Sequence, residues 1–144
     1  MPFEFNDDLK QRKIELISEG YDAYILFGFE DYEDKLANEL NKEFDFLLAT
    51  PLYKMVHRSR NGYKFDVKEV MISGYIFMYV KKDYPINNIK SKFYYFKVLS
   101  RNNDEGKLYG SDLKYAEWVL EVEGLISVSE AIQLNGKLRQ SKVL

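Results

Sequence analysis

The dipeptide Asn61-Gly62 restricts this chain more than any other feature in it. A two-residue β-hairpin turn needs positive φ at both central positions, and Asn and Gly are the residues that tolerate it. The flanks, Leu52–Ser59 and about Tyr63–Val70, are strand-like, so the dipeptide predicts a tight antiparallel hairpin. That hairpin is basic. Lys54, His57, Arg58 and Arg60 lie on one arm and Lys64 and Lys68 on the other, with only Asp66 and Glu69 opposing.

Around it, hydrophobic periodicity assigns the remaining elements. Asp7 to Ser18 is loosely helical, with Gly20 as its stop. Ala23–Phe29 (AYILFGF) is apolar on both faces and predicts a central strand. In the segment that follows, Tyr32, Leu36, Leu40 and Phe44 recur every four residues and form one helical stripe. Glu30, Asp31, Glu33 and Asp34 crowd its first turn, where the helix dipole favours acids; they are expected on solvent faces, not as a catalytic carboxylate pair. Phe46–Ala49 is a further strand, ended by Pro51. Gly74 opens the strand Tyr75–Val80, with Tyr75, Phe77 and Tyr79 on one face and Ile76, Met78 and Val80 on the other. Asn87–Lys97 predicts a helix and Tyr95–Leu99 a strand. Ser111-Asp112 can cap a last helix, Leu113–Val122, ended by Gly124. The expected fold is α/β: an antiparallel four-stranded sheet with helices on one side, preceded by an extra N-terminal helix.

Composition excludes several chemistries. With no cysteine, disulfides, thiolate catalysis and cysteine-based metal sites are ruled out. His57 is the single histidine, and a lone histidine in a basic strand is more often a surface residue than a base or ligand. Phosphate-loop, dinucleotide and zinc-protease motifs are absent. The expectation is a non-enzymatic protein without metal or cofactor, monomeric and cytoplasmic, since no apolar run approaches the ~20 residues that span a bilayer. Charge is segregated along the chain: residues 1–50 carry five Lys/Arg against 13 Asp/Glu, whereas residues 51–101 carry 11 against three. This leaves two possibilities, a basic face for nucleic acid beside an acidic one, or blocks that mix in space and cancel. The chain also holds 12 Tyr and 10 Phe, more rings than a domain of 144 residues buries completely.

The order of these motifs resembles the N-terminal domain of NusG-type transcription factors. AYILFGFEDYEDKLANELNKEF is similar to that family's first strand and helix. ATPLYKMVHRSRNGYKFDVKEVMISGYIFMYV is similar to its central hairpin and signature strand, with Ile72-Ser73-Gly74-Tyr75 at the aromatic-Pro-Gly-Tyr entry. Departures are Ala23 for the usual tryptophan, Ser73 for the proline and Glu30-Asp31 for a small-Gly pair, which point to a specialised paralogue. The resemblance implies residues 1–21 as an accessory helix, 22–126 as the NusG-type domain (an RRM/ferredoxin-like sandwich) and 127–144 as a linker into a missing KOW domain. It implies binding to the β′ clamp helices of RNA polymerase through Ile25, Phe27, Phe29, Tyr75 and Phe77. Non-template DNA or nascent RNA would lie near Lys54, His57, Arg58, Arg60 and Lys64. The expected activity is transcription elongation or antitermination on particular operons. Replacing Phe27 and Phe77 by alanine is expected to abolish polymerase binding and leave the fold intact. For the sheet rings the residues themselves leave two possibilities, a contact surface or a core covered by the N-terminal helix. The competing function is an RRM-like single-stranded nucleic-acid module with Tyr75 and Phe77 stacking on bases.

Overall fold

A computed structural model describes residues 2–92, 96–100 and 105–127. The first helix, α1 (Asp7–Glu19), starts where the Asn6 side chain accepts the Leu9 N–H at 3.0 Å, and it ends at Gly20. Next come β1 (Tyr21–Phe27), α2 (Glu33–Glu43), β2 (Leu47–Thr50), β3 (Tyr53–Arg60), β4 (Tyr63–Val70), β5 (Tyr75–Lys81), α3 (Ile86–Lys90), β6 (Lys97–Val98), α4 (Gly110–Glu121) and β7 (Leu125–Ile126).

The expected four-stranded sheet is present, in the order β2-β5-β1-β6 and antiparallel throughout. β1 and β2 run parallel to each other on either side of β5 and are joined through α2; β5 reaches β6 through α3. Right-handed crossovers, the rule for such connections, would put both helices on one side; the sheet face opposite Phe77, with Tyr24, Leu26, Ile76, Met78 and Val80, is buried throughout. The hairpin belongs to a second sheet, β4-β3-β7, in which β3 pairs antiparallel with β4 and parallel with β7. The sequence expectation had one sheet and no β7; a two-residue strand carries too little pattern to be read.

Two other expectations change. Helices do not occupy one side only, because α4 packs on the ring-bearing face: Phe77 stacks on Tyr115 at 5.7 Å, and the Tyr79 hydroxyl donates to the Ala116 carbonyl at 2.5 Å. Nor does Ser111-Asp112 cap α4, which begins at Gly110 with Tyr109 in the cap position and no side-chain bond there. At the other end, Gly124 is demanded twice over. Its φ is +71°, and a Cβ there would lie 2.4 Å from Thr50 Oγ1.

The outer edge of β2 is sealed by side chains instead of by another strand. The Asn41 amide donates to the Ala49 carbonyl at 2.8 Å and accepts the Ala49 N–H at 2.7 Å. Arg12 donates to the carbonyls of Asn41, Phe44 and Leu47 at 2.8, 2.8 and 3.2 Å. These bonds satisfy an edge that would otherwise pair with another chain and fasten α1 to it. Phe3, Leu9 and Leu16 join the same core as the rest. Among the described residues, no helix is long and apolar enough to cross a membrane. The proposed linker, residues 127–144, lies outside the described residues apart from Ser127.

Candidate functional site

The five residues assigned to polymerase contact begin on one face of the central strand pair. The register sets Ile25 opposite Phe77 and Phe27 opposite Tyr75, so the alternation was read correctly for these four. Their exposure is not uniform. Ile25 and Phe77 are 9% and 2% exposed, Phe77 lying against Tyr115 of α4, and both belong to the core. Phe27 and Tyr75 are half-buried, with ring centroids 5.8 Å apart. Phe29 is not on the strand at all: β1 ends at Phe27, and Phe29 sits in the following loop, 68% exposed. A Phe77→Ala change would therefore open a cavity in the core, so the double alanine variant would lose core packing as well as surface and would not test the contact face alone.

Burial on this face acts on its tyrosines. The Tyr79 phenol is pushed well above its ordinary value of 10.0, by burial first and then by the neighbouring Tyr21 and Tyr115. Burial also pushes Tyr115 up to about 12. Tyr21 is raised by burial and by the Glu117 carboxylate. Burial of this face thus favours the neutral phenols over the charged ones.

At the end of the sheet where β1 stops and β5 starts, the rings reach solvent. Phe29 meets Tyr32 edge to face at 6.2 Å, and both are exposed. They border a cavity of about 590 Å³ whose other walls come from Gly28, Glu30, Glu33, Leu36, Glu39 and Gly74, with Lys35 at its margin. Its floor is built by a residue misjudged in the sequence. Glu33 is buried, not solvated, and accepts the Gly74 N–H at 2.7 Å, tying the start of α2 to the start of β5. Gly74 has φ +84°, and a Cβ there would approach the Gly28 carbonyl to 3.3 Å; the Gly28 N–H in turn donates to the Gly74 carbonyl at 2.9 Å. Glu30 and Asp31 precede the helix instead of lying in its first turn. The site is thus an apolar recess with aromatic walls and a mainly acidic rim.

The hairpin forms a second candidate region. Its turn has φ of +52° at Asn61 and +82° at Gly62, and its register runs from Arg60↔Tyr63 to Tyr53↔Val70. That register separates the five basic candidates. Lys54, Arg58 and Arg60 share one face, while His57 and Lys64 share the other. His57 is exposed and paired through Nδ1 with Asp66, and Arg58 is paired with Glu69. Arg60 and Lys64 have no ion-pair partner among the described residues. Two rings overlooked in the sequence stand with the arginines: Tyr63 opposite Arg60 and Phe65 opposite Arg58, 78% and 42% exposed. The signal was available, since a two-residue turn at 61–62 fixes these pairs by counting outward.

Among the described residues no group of three or more His, Asp or Glu is placed to hold a metal ion. No known family model matches this chain, and no curated protein matches its sequence.

Proposed function

We propose that this chain is a transcription elongation or antitermination factor domain of NusG type that docks on the β′ clamp helices of RNA polymerase. The observation that carries the reading is the ring-walled recess at the β1/β5 end of the sheet. Phe29 and Tyr32 expose their rings beside it, and the half-buried pair Phe27 and Tyr75 lies at the same strand ends. Aromatic side chains around a concave apolar site supply large contact area at little entropic cost. Glu30 and Glu39 at the rim suit a partner helix with basic flanks. The strand order β2-β5-β1-β6 supports the same reading, because an RRM/ferredoxin-like split βαβ sandwich would carry that order.

Such a domain acts without bond chemistry. By binding the elongation-competent clamp in preference to the paused one, it shifts the polymerase population toward processive synthesis and terminator readthrough, here on particular operons. The alternative RRM-like module would stack bases on Tyr75 and Phe77. Phe77 lies beneath Tyr115, so that mode would require α4 to leave the sheet.

The test is an interferometry titration of the chain against an isolated β′ clamp-helix fragment. Saturable binding is expected, lost in a Phe29→Ala/Tyr32→Ala variant that keeps its circular dichroism and melting temperature. Absence of binding at tens of micromolar, or full binding by that folded variant, would overturn the reading.

A further inference from the structure

We propose that two copies of this chain associate through the free edge of β4, antiparallel and with Val67 opposite Val67, so that their hairpin sheets join into one. This goes beyond the polymerase reading and does not depend on it, because the edge belongs to the other sheet. It departs from the monomer expected from the sequence.

A strand offers backbone hydrogen-bonding groups on two sides, and β4 uses one. It pairs with β3 from Tyr63 to Val70 and ends the sheet β4-β3-β7. A two-residue turn makes Arg60 and Tyr63 the first hydrogen-bonded pair, so Tyr63, Phe65, Val67 and Glu69 bond inward to β3. Met71 keeps the same alternation, its N–H donating to the Leu52 carbonyl at 2.7 Å. The N–H and C=O groups of Lys64, Asp66, Lys68 and Val70 therefore point outward, and among the described residues no backbone group meets them. The outer edge of β2 is closed by the side chains of Asn41 and Arg12. Among the described residues, β4 has no such closure along its eight residues. An edge of that length is a template for another strand.

Lysine on an edge ordinarily repels a second strand, so the register decides. Opposite residues of an antiparallel pair share a face, and side chains alternate along each strand; a two-fold pair of identical strands must therefore set one residue opposite its own copy. Centred on Asp66, the edge would set Asp66 against Asp66 and Lys64 against Lys68; centred on Lys68, it would set Lys68 against Lys68. Centred on Phe65, Lys64 would meet Asp66, but the overlap runs into the turn at Gly62 and leaves the end of the strand unused. Centred on Val67, Asp66 meets Lys68 of the second copy on both sides of the axis, and all four outward residues from Lys64 to Val70 are paired. Both charged side chains have capacity left: exposed Asp66 pairs with His57 through one oxygen, and Lys68 Nζ donates to the Phe3 carbonyl at 3.3 Å, keeping further protons. On the other face Val67 meets Val67, with the exposed ring of Phe65 on the diagonal from each copy. Tyr63 falls beyond the overlap and stays in solvent, and the two basic hairpin tips point to opposite ends.

Sedimentation equilibrium of the full chain from about 1 μM to about 1 mM, the span of weak specific association, tests this. The mass should rise from 17.1 kDa toward that of a dimer. Lys64→Pro removes an outward N–H and no bond to β3, and should weaken dimerisation roughly tenfold or more with circular dichroism unchanged. Asp66→Lys sets like charges opposite each other and should weaken it too, and adding Lys68→Asp should restore it. The chain has no cysteine, so a single introduced one can form a disulfide only between copies. At Val67 the pair across the axis is not hydrogen-bonded, which brings the Cα atoms to about 4.5 Å, within disulfide reach. Mild oxidation should therefore cross-link the Val67→Cys chain and spare the Phe65→Cys chain. A mass that stays at 17.1 kDa throughout overturns the proposal and leaves the edge to a strand of another protein. Unchanged dimerisation of a folded Lys64→Pro chain, or faster cross-linking of Phe65→Cys than of Val67→Cys, overturns it as well. No polymerase is present here, so dimerisation and the clamp titration can each fail while the other stands.

Discussion

Two antiparallel strand pairs in this molecule carry aromatic side chains at alternate positions, and they meet opposite fates. On β1/β5, Phe77 faces Ile25 and Tyr75 faces Phe27; on β3/β4, Tyr63 faces Arg60 and Phe65 faces Arg58. Of the first set, Ile25 and Phe77 are buried, Phe77 beneath Tyr115 of α4, while Phe27 and Tyr75 stay half-buried at the strand ends. Nothing among the described residues covers the second. What differs is the residue across the strand. A ring opposite an aliphatic or aromatic neighbour makes a surface that an amphipathic helix can dry, whereas a ring opposite an arginine makes one whose drying would strand a charge. Alternation shows which rings share a face; the cross-strand partner decides whether that face becomes interior or site.

The largest expected effect comes from alkali, which charges the interior face. Tyr79 and Tyr115 both have folded-state values raised above 10.0. Raised values mean that folding favours the neutral phenols. Their contribution to stability is complete below about pH 10 and is lost as pH rises through 12, the folded value of Tyr115. Urea unfolding at a series of pH values from 8 to about 12 should show a steep fall across that window. Tyr115→Phe sharpens the comparison, because the Tyr115 hydroxyl is buried with no hydrogen-bond partner among the described residues. The variant should be at least as stable as wild type at pH 8 and should gain on it as pH rises. A gain that does not grow with pH would mean that α4 is not seated on this face.

The comparison also explains what could be read from the sequence. The hairpin was legible almost to the residue, since Asn61-Gly62 sets its turn chemistry and hence its register. Residues Tyr75 to Val80 were equally clear, because alternation over six positions leaves little freedom. The cover was not legible. Helix α4 has a weakly amphipathic sequence (GSDLKYAEWVLE), and nothing local says which side of a distant sheet it will meet. Glu33 was misplaced for a related reason: its partner, the Gly74 N–H, is 41 residues away, and a helix-dipole argument accounts for an acid at that position without it. Phe29 was assigned to the strand because its β propensity continues the run, but Gly28 and the turn into α2 end the strand first. The recess at the β1/β5 end could not be seen for the same reason, since it is assembled from a loop, a helix start and a strand start that only the fold brings together.

Next in size is Phe77→Ala. Phe77 is deeply buried and stacked on Tyr115, so its truncation should cost about 3–5 kcal/mol, read as a lowered urea midpoint. A cost below about 1 kcal/mol would mean that the sheet face is open in solution and would return Phe77 to the list of contact residues.

The smallest expected effect is the matching truncation on the other sheet, and it is the more demanding half of the comparison. Tyr63→Ala removes a larger side chain than Phe77→Ala does, from the same kind of antiparallel pair, yet most of the ring is already in water. No apolar surface is uncovered and no cavity forms, so unfolding free energy should change by no more than about 0.5 kcal/mol. Some loss is still expected, because a ring beside Arg60 on a β surface contributes a few tenths of a kcal/mol through cross-strand contact. A loss of more than about 2 kcal/mol would show that the ring is packed in solution, either against residues 128–144 or against a second copy. Repeating the measurement on a chain truncated after Ser127, over a range of concentrations, separates these two. A large effect that disappears on truncation makes the tail the cover, and one that grows with concentration makes it a second copy. In either case the contrast between the sheets would lie in what covers each, not in whether it is covered.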